Sequence, residues 1–292
     1  MEKKRSNKFS MNYLLICLAT VMVSLQFFFN KRYQQQEGMS MEKTLVFSVG
    51  TSLVIGIVML MVSGFRLEFS WFSLMTAGLS AVIGILFIYY SVILMEKVNL
   101  SLYSLVTMLG GMLLPFIGGI CFWGEGVTIK KIISLAVITG ALFIGIDLKA
   151  DRKALVYCLF IFVLNGLNGV VSKWHQTYSA INVSSEGFLL LRSGVTILIC
   201  VIILCFVNKN KLRLNHVRDA LVNMSGFGLM SGLANLLVLI ALVHVAASIQ
   251  YPMITGGTII VSTLVSLCTK EKITYINLLS TALAMGGTLL LL

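Results

Sequence analysis

Apolar residues occur in continuous stretches of about 20 along the whole chain, without the strict alternation that is typical of strands. An α-helix needs roughly 20 apolar residues to cross a ~30 Å hydrocarbon core, whereas the strands of a membrane β-barrel alternate in polarity over about ten residues. The pattern therefore predicts an all-α integral membrane protein. We expect ten transmembrane helices, at about residues 11–33, 44–63, 71–95, 100–122, 131–147, 154–174, 188–207, 219–244, 249–268 and 275–292.

The composition agrees with a chain that lies mostly in lipid. Of the 292 residues, 58% are hydrophobic and 11% are charged, against roughly 25% charged residues in soluble proteins. This excludes a water-soluble enzyme, and the short connections between spans leave no soluble domain. The apolar stretch from Met11 to Asn30 is too long for the core of a cleaved signal peptide. We therefore expect a retained first helix and a multi-pass protein of the cell (plasma) membrane.

The net charge of +11 does not indicate nucleic-acid binding. Cations such as Lys209, Lys211 and Arg213 lie in the short segments between spans, where the positive-inside rule places them. Membrane lipid is therefore the expected surrounding of the protein. The charge biases of the two halves of the chain conflict, and the usual dominance of the first helix favours both termini in the cytoplasm.

Short motifs recur in the same order at a nearly constant distance, which predicts an internal repeat. The matching sets are Ser40, Glu42 and Gly50 with Ser184, Glu186 and Gly194, then Val98, Ser101 and Gly110 with Val245, Ser248 and Gly257, and finally Glu125 and Thr128 with Glu271 and Thr274. We expect two five-helix domains, residues 1–148 and 149–292.

A five-helix unit crosses the membrane an odd number of times, so the second copy enters from the side opposite to the first. The fold class that follows is ten transmembrane helices arranged as two inverted five-helix repeats. Transporters commonly use this arrangement and hold their substrate near the membrane midplane where the repeats meet. The repeat thus indicates a permease that works by alternating access.

The chain carries no pattern of a catalytic, cofactor or metal site. Its three histidines are scattered, its six cysteines lie in or beside apolar runs without a CxxC motif, and no acidic residue lies in the middle of a span. Small buried apolar groups are the simplest interpretation of such cysteines. A membrane-embedded lipid enzyme needs convergent acid, base or metal groups and is therefore the least favoured alternative.

Three features resemble a known family. They are the Gly124-Glu125 pair after span 4 with its degenerate counterpart Lys270-Glu271, the Asn168-x4-Lys173 pattern with Gln26 and Lys31 in the first repeat, and Arg192 with Ser48 in the first repeat. These motifs resemble the EamA-like branch of the drug/metabolite transporter superfamily, small ten-span permeases made of two five-helix repeats. The motifs are loose, and they specify the superfamily but not the solute.

The resemblance implies transport of a small metabolite or drug-like solute, commonly as export or exchange. Two other classes stay open, a channel and a structural or regulatory membrane subunit without carrier activity. The repeat and the lack of a ring of pore-lining charges argue against a channel. Assembly as a homodimer is also left open.

Polar residues inside the apolar runs are the candidate substrate-binding residues. Gln26 and Asn168 occupy corresponding places in the two repeats, and Asn235 lies within span 8. Such side chains either face a central cavity and bind solute, or they form hydrogen bonds between helices. Tyr103 and Tyr251, at the starts of spans 4 and 9, either stack on a solute or belong to the interfacial belt.

Three cations near span ends complete the candidate site. Lys31 and Lys173 either contact solute or extend their ammonium groups to the lipid headgroups. Arg192 lies about one turn deeper, where an ionisable group indicates a cavity cation or a partner of a helix end. We also expect Glu125 to stabilise the N-terminus of the helix that follows it, and His175 to be solvated.

Overall fold

The computed structural model describes residues 2–38, 40–95, 97, 100–144, 152–178, 183–206, 214–268 and 275–291. These residues form the helices α1 (Glu2–Glu37), α2 (Met41–Val62), α3 (Trp71–Met95), α4 (Leu100–Trp123), α5 (Ile129–Phe143), α6 (Arg152–Thr177), α7 (Ser185–Cys205), α8 (Val217–Leu242), α9 (Ala247–Cys268) and α10 (Tyr275–Leu289).

Seven of the described helices are long and apolar enough to cross a membrane, namely α1, α2, α3, α4, α6, α7 and α8. Helices α5 and α10 have 15 residues each, about 22 Å at a rise of 1.5 Å per residue. The chain is therefore a multi-pass helical membrane protein. This confirms the predicted helical membrane class.

The helices of the second half begin at a nearly constant distance from those of the first half. The starts of α7, α8, α9 and α10 follow those of α2, α3, α4 and α5 by 144, 146, 147 and 146 residues. The N-caps agree as well: the Ser40 hydroxyl accepts the N–H of Lys43, and the Ser184 hydroxyl accepts the N–H of Gly187. Each cap satisfies one of the free N–H groups at a helix start.

Neighbouring helices come mostly from opposite halves of the chain. Helix α1 packs against α8 and α9, while α6 packs against α3 and α4; α2 packs against α7, and α5 against α10. Helices α4 and α6 approach so closely at Gly110 that a Cβ there would overlap the Phe162 carbonyl oxygen. Small residues permit such approach where lipid removes the hydrophobic driving force between helices.

Contacts between helix ends define two ends of the bundle. The Glu37 end contains the C-terminus of α1 and the N-terminus of α8, because the Glu37 carboxylate accepts the N–H groups of Asn215 and His216. The Glu125 end contains the segment after α4, the C-terminus of α6 and the N-termini of α7 and α9. Both ends matter for the site described next.

Candidate functional site

A cavity of about 490 Å³ lies among eight of the described helices, all except α5 and α10. Small-molecule pockets commonly measure about 300–1,000 Å³. The lining comes from paired stretches of the two halves: 23–34 with 165–172, 44–55 with 189–196, 80–92 with 227–239 and 103–111 with 251–258. The cavity therefore lies between the two halves of the chain, in the interior of the helix bundle.

Hydrogen bonds across helices hold the polar side chains of the wall in place. The Ser80 hydroxyl donates to Asn168 Oδ1 at 2.6 Å and joins α3 to α6. Asn165 Nδ2 donates to the Thr107 carbonyl at 2.7 Å. The Tyr251 hydroxyl donates to the Gly169 carbonyl at 3.1 Å and joins α9 to α6. These bonds leave the wall polar and fix the orientation of the Asn168 amide.

Six of the eight predicted site residues line this cavity: Gln26, Tyr103, Asn168, Arg192, Asn235 and Tyr251. The two alternatives given for these residues are not exclusive, since several also bond to neighbouring groups. The Tyr103 hydroxyl donates to Ser91 Oγ at 3.1 Å, and Asn235 Nδ2 donates to the Ser231 carbonyl at 2.8 Å. Their contact with a solute stays a prediction.

The two predicted lysines lie outside the cavity lining. Lys31 is exposed. Lys173 is only 7% exposed, its ammonium donates to the Leu242 carbonyl at 2.8 Å, and it lies 3.7 Å from Glu125 Oε1. Lys173 therefore does not extend to the lipid headgroups. Its ammonium is buried and needs an opposite charge and a hydrogen-bond acceptor, and by bonding to the Leu242 carbonyl it joins the end of α6 to the end of α8.

Glu125 stabilises a helix N-terminus, but not that of α5 as expected. Its two carboxylate oxygens accept the N–H groups of Ala247 and Ser248 at 2.7 and 2.8 Å, at the start of α9. The preceding Gly124 has a positive φ of 61°, and the chain turns there. The hydroxyl of Thr128 caps α5 instead. The expected interaction between a carboxylate and a helix N-terminus therefore stabilises α9, a helix of the other half of the chain.

His175 is buried, contrary to the expectation that it is solvated. It is 2% exposed, its Nε2 lies 3.0 Å from Ser73 Oγ, and its ring stacks on Phe188 with the centroids 4.1 Å apart. This packing joins α3, α6 and α7 at the Glu125 end, beside the Glu125–Lys173 ion pair. The proximity of His175 to a predicted span boundary was a poor guide because helix packing, not lipid depth, buries it.

The sequence reasoning missed the hydroxyl-rich wall and two further carboxylates, Glu37 and Glu68, that bind the start of a helix distant in the chain. Glu37 is 3% exposed and bonds to the start of α8, while Glu68 accepts the N–H of Ser184 just before α7. The hydroxyl groups of α2 lie on one face because Thr44, Ser48 and Ser52 are four residues apart. That spacing was the available signal for a polar wall.

Comparisons with known proteins give information about the fold but none about the function. No family model matches the sequence, and no curated protein matches it. A solved structure described only as "Crystal structure of protein" has 13% sequence identity and a TM-score of 0.72, and the match covers 96% of this chain and 97% of that chain. At this identity the likeness shows a shared fold over the whole chain and nothing about activity.

Proposed function

We propose that the protein is a permease that moves a small metabolite or drug-like solute across the cell membrane by alternating access. It exports or exchanges the solute and belongs to the EamA-like drug/metabolite transporters. Its ten helices form two inverted five-helix repeats, residues 1–148 and 149–292. The observation that carries this proposal is the cavity between the two halves, whose walls come from corresponding stretches of both.

The near-constant distance between helix starts supports the repeat. If α1–α5 correspond to α6–α10 in order, the contact of α1 with α8 should have a counterpart between α6 and α3. Both pairs of helices are in contact. The contact of α1 with α9 should likewise have a counterpart between α6 and α4, and both of these pairs are in contact as well. Transporters with inverted repeats bind their substrates at such a seam.

The unequal lining of the cavity at the two ends supports alternating access. Gln34 and Thr44 line the cavity towards the Glu37 end. Their counterparts, Gln176 and Phe188, lie 142 and 144 positions later at the Glu125 end and are not in the lining. A carrier needs a second state in which the Glu37 end closes and the Glu125 end opens, and two corresponding halves provide for that exchange.

Counterflow in proteoliposomes tests the proposal. A thermal-shift screen of the purified chain against metabolites and drugs first selects a ligand, because binding to the folded state raises the melting temperature. Labelled ligand outside the vesicles is then expected to enter faster when unlabelled ligand is inside. Asn168→Ala should abolish this stimulation, while Lys97→Ala, an exposed residue outside the cavity, should retain it.

The same assay separates the alternatives. A channel passes the ligand without stimulation from the opposite side. A structural or regulatory subunit binds the ligand without flux. Either result would contradict the permease, and full stimulation in Asn168→Ala would remove the cavity as the transport site.

A further inference from the structure

The cavity contains one charged group among the described residues that line it. That group is the guanidinium of Arg192 on α7. No carboxylate of the described residues lines the cavity, and within the described part of the chain no residue forms a hydrogen bond or an ion pair with the guanidinium. The charges of Glu125 and Lys173, by contrast, lie outside the lining and are paired with each other.

A guanidinium that has Tyr251 as a neighbour but no carboxylate among the described residues is unusual in a membrane interior. Moving a charge from water into a low-dielectric region costs several kcal/mol unless an opposite charge and hydrogen-bond acceptors compensate it. Structural arginines inside membranes therefore pair with other groups, and unpaired ones mark a ligand pathway. The environment of Arg192 is therefore that of a group whose negatively charged partner is part of the bound solute.

The Asn168 amide of the cavity wall presents a further donor. The Oδ1 atom of Asn168 is already engaged by the Ser80 hydroxyl, so its Nδ2 group remains for another partner. Gln26 also lines the cavity, but its Oε1 atom, which is buried without a hydrogen-bond partner among the described residues, is an acceptor and contributes nothing to the binding of an anion. One amide N–H group of the wall thus accompanies one positive charge.

The rest of the wall is suited to an apolar body. Phe27, Phe47, Phe87 and Phe227 line the cavity together with aliphatic side chains. Aromatic rings contribute large apolar contact areas in binding pockets. A fully hydrated inorganic ion would leave these surfaces without contacts, whereas an organic ion fills them.

We propose that the solute is a small organic monoanion, with a carboxylate bound by Arg192 and the Asn168 amide and an apolar body against the phenylalanines. This rests on the permease proposal for its biological meaning. A carboxylate matches the two parallel N–H groups of a guanidinium. A single positive charge neutralises a single negative charge, so a dianion would keep an uncompensated charge in the interior.

Binding measurements on the purified full chain test the charge preference without any variant. The probes are benzoate and phenylacetate, their neutral amides benzamide and phenylacetamide, and the cations benzylamine and phenethylamine. We expect each carboxylate to bind at least about tenfold more tightly than its amide, since a charge-assisted hydrogen bond is worth roughly 1.5–3 kcal/mol. The amines should bind most weakly. The proposal is overturned if neither carboxylate binds more tightly than its own amide.

Variants of two arginines then locate the preference. Arg192→Gln should lower carboxylate affinity about tenfold or more and leave amide affinity unchanged, and Arg192→Lys should retain part of the preference because it keeps the charge but not the planar fork. Arg218→Gln removes an exposed cation of α8 and should change nothing. A preference that survives Arg192→Gln would place the anion elsewhere.

Counterflow with the same probes keeps the two proposals apart. Carboxylates that bind through Arg192 without trans-stimulation would contradict the permease and leave the anion site standing. Trans-stimulation by amides or amines as strong as that by carboxylates would contradict the anion site and leave the permease standing.

Discussion

The Glu37 end and the Glu125 end of the bundle differ in which residues face the cavity. At the Glu37 end Gln34 and Thr44 face the cavity. At the Glu125 end Phe188 is fully buried, and Gln176 is bonded to its neighbour His175 and to the Ser185 hydroxyl. Gln176 and Phe188 lie 142 and 144 positions after Gln34 and Thr44, and the two pairs of residues are packed differently.

The difference teaches that charged contacts alone do not decide which residues at each end reach the cavity. Both ends use a carboxylate on the N–H groups of a helix start, Glu37 on α8 and Glu125 on α9. Both ends also contain packed rings: Phe47 on Tyr33 and Phe227 at the Glu37 end, and His175 on Phe188 at the Glu125 end. Close packing is sensitive to side-chain volume, so the individual side chains at each end decide what faces the cavity.

The largest effect is expected from Glu125→Gln. The substitution leaves the Lys173 ammonium, which is 7% exposed, without its carboxylate, and breaking a buried ion pair costs about 3–5 kcal/mol. The melting temperature in detergent should fall steeply. The double variant Glu125→Gln/Lys173→Met removes both charges and should recover much of the loss. An equally unstable double variant would show that the ion pair is not the cause.

Phe188→Ala and Thr44→Ala compare two positions that lie 144 residues apart, one at each end of the bundle. Removing the fully buried Phe188 ring should cost ~3 kcal/mol or more and increase the access of water to the Glu125 end. Thr44 donates only to the Ser40 carbonyl one turn earlier, at 2.7 Å, so its loss should cost below about 1 kcal/mol. Thermal unfolding of both variants measures this, and similar losses would mean that the two ends are packed alike.

Glu37→Gln should have an intermediate effect. The carboxylate accepts two backbone N–H groups and lies 3.5 Å from Lys43, and hydrogen bonds to a charged group are worth roughly 1.5–3 kcal/mol. The loss should be smaller than in Glu125→Gln because the Lys43 side chain is 17% exposed and can reach water. The ranking of the two melting temperatures is the measurement, and a reversed order would contradict it.

The smallest effect concerns pH. The N–H of Ser184 holds the pKa of the Glu68 carboxyl below its usual range. A carboxylate with a lowered folded-state pKa stabilises the protein above its ordinary pKa of about 4.3, and this contribution is lost as the pH falls through the folded value. We expect below about 1 kcal/mol. Melting temperatures between neutral and acidic pH should fall less steeply in Glu68→Gln, and unchanged steepness would show that another group titrates.

The apolar runs alone determined the membrane class and the approximate places of the helices, because the bilayer requires long apolar helices whatever their neighbours. Motif spacing also singled out the polar residues that prove to line the cavity, Gln26, Asn168 and Arg192 among them. A polar group inside an apolar run is costly, and this makes it conspicuous in the sequence.

Only the tertiary structure decided the partners. Lys173 and His175 have the sequence context of span ends, yet both are buried by helices distant in the chain. Glu125 precedes α5 but binds α9, and Glu37 and Glu68 gave no signal at all. Burial and hydrogen bonding depend on which helix ends meet, and that is a property of packing between the two halves that no local pattern of residues contains.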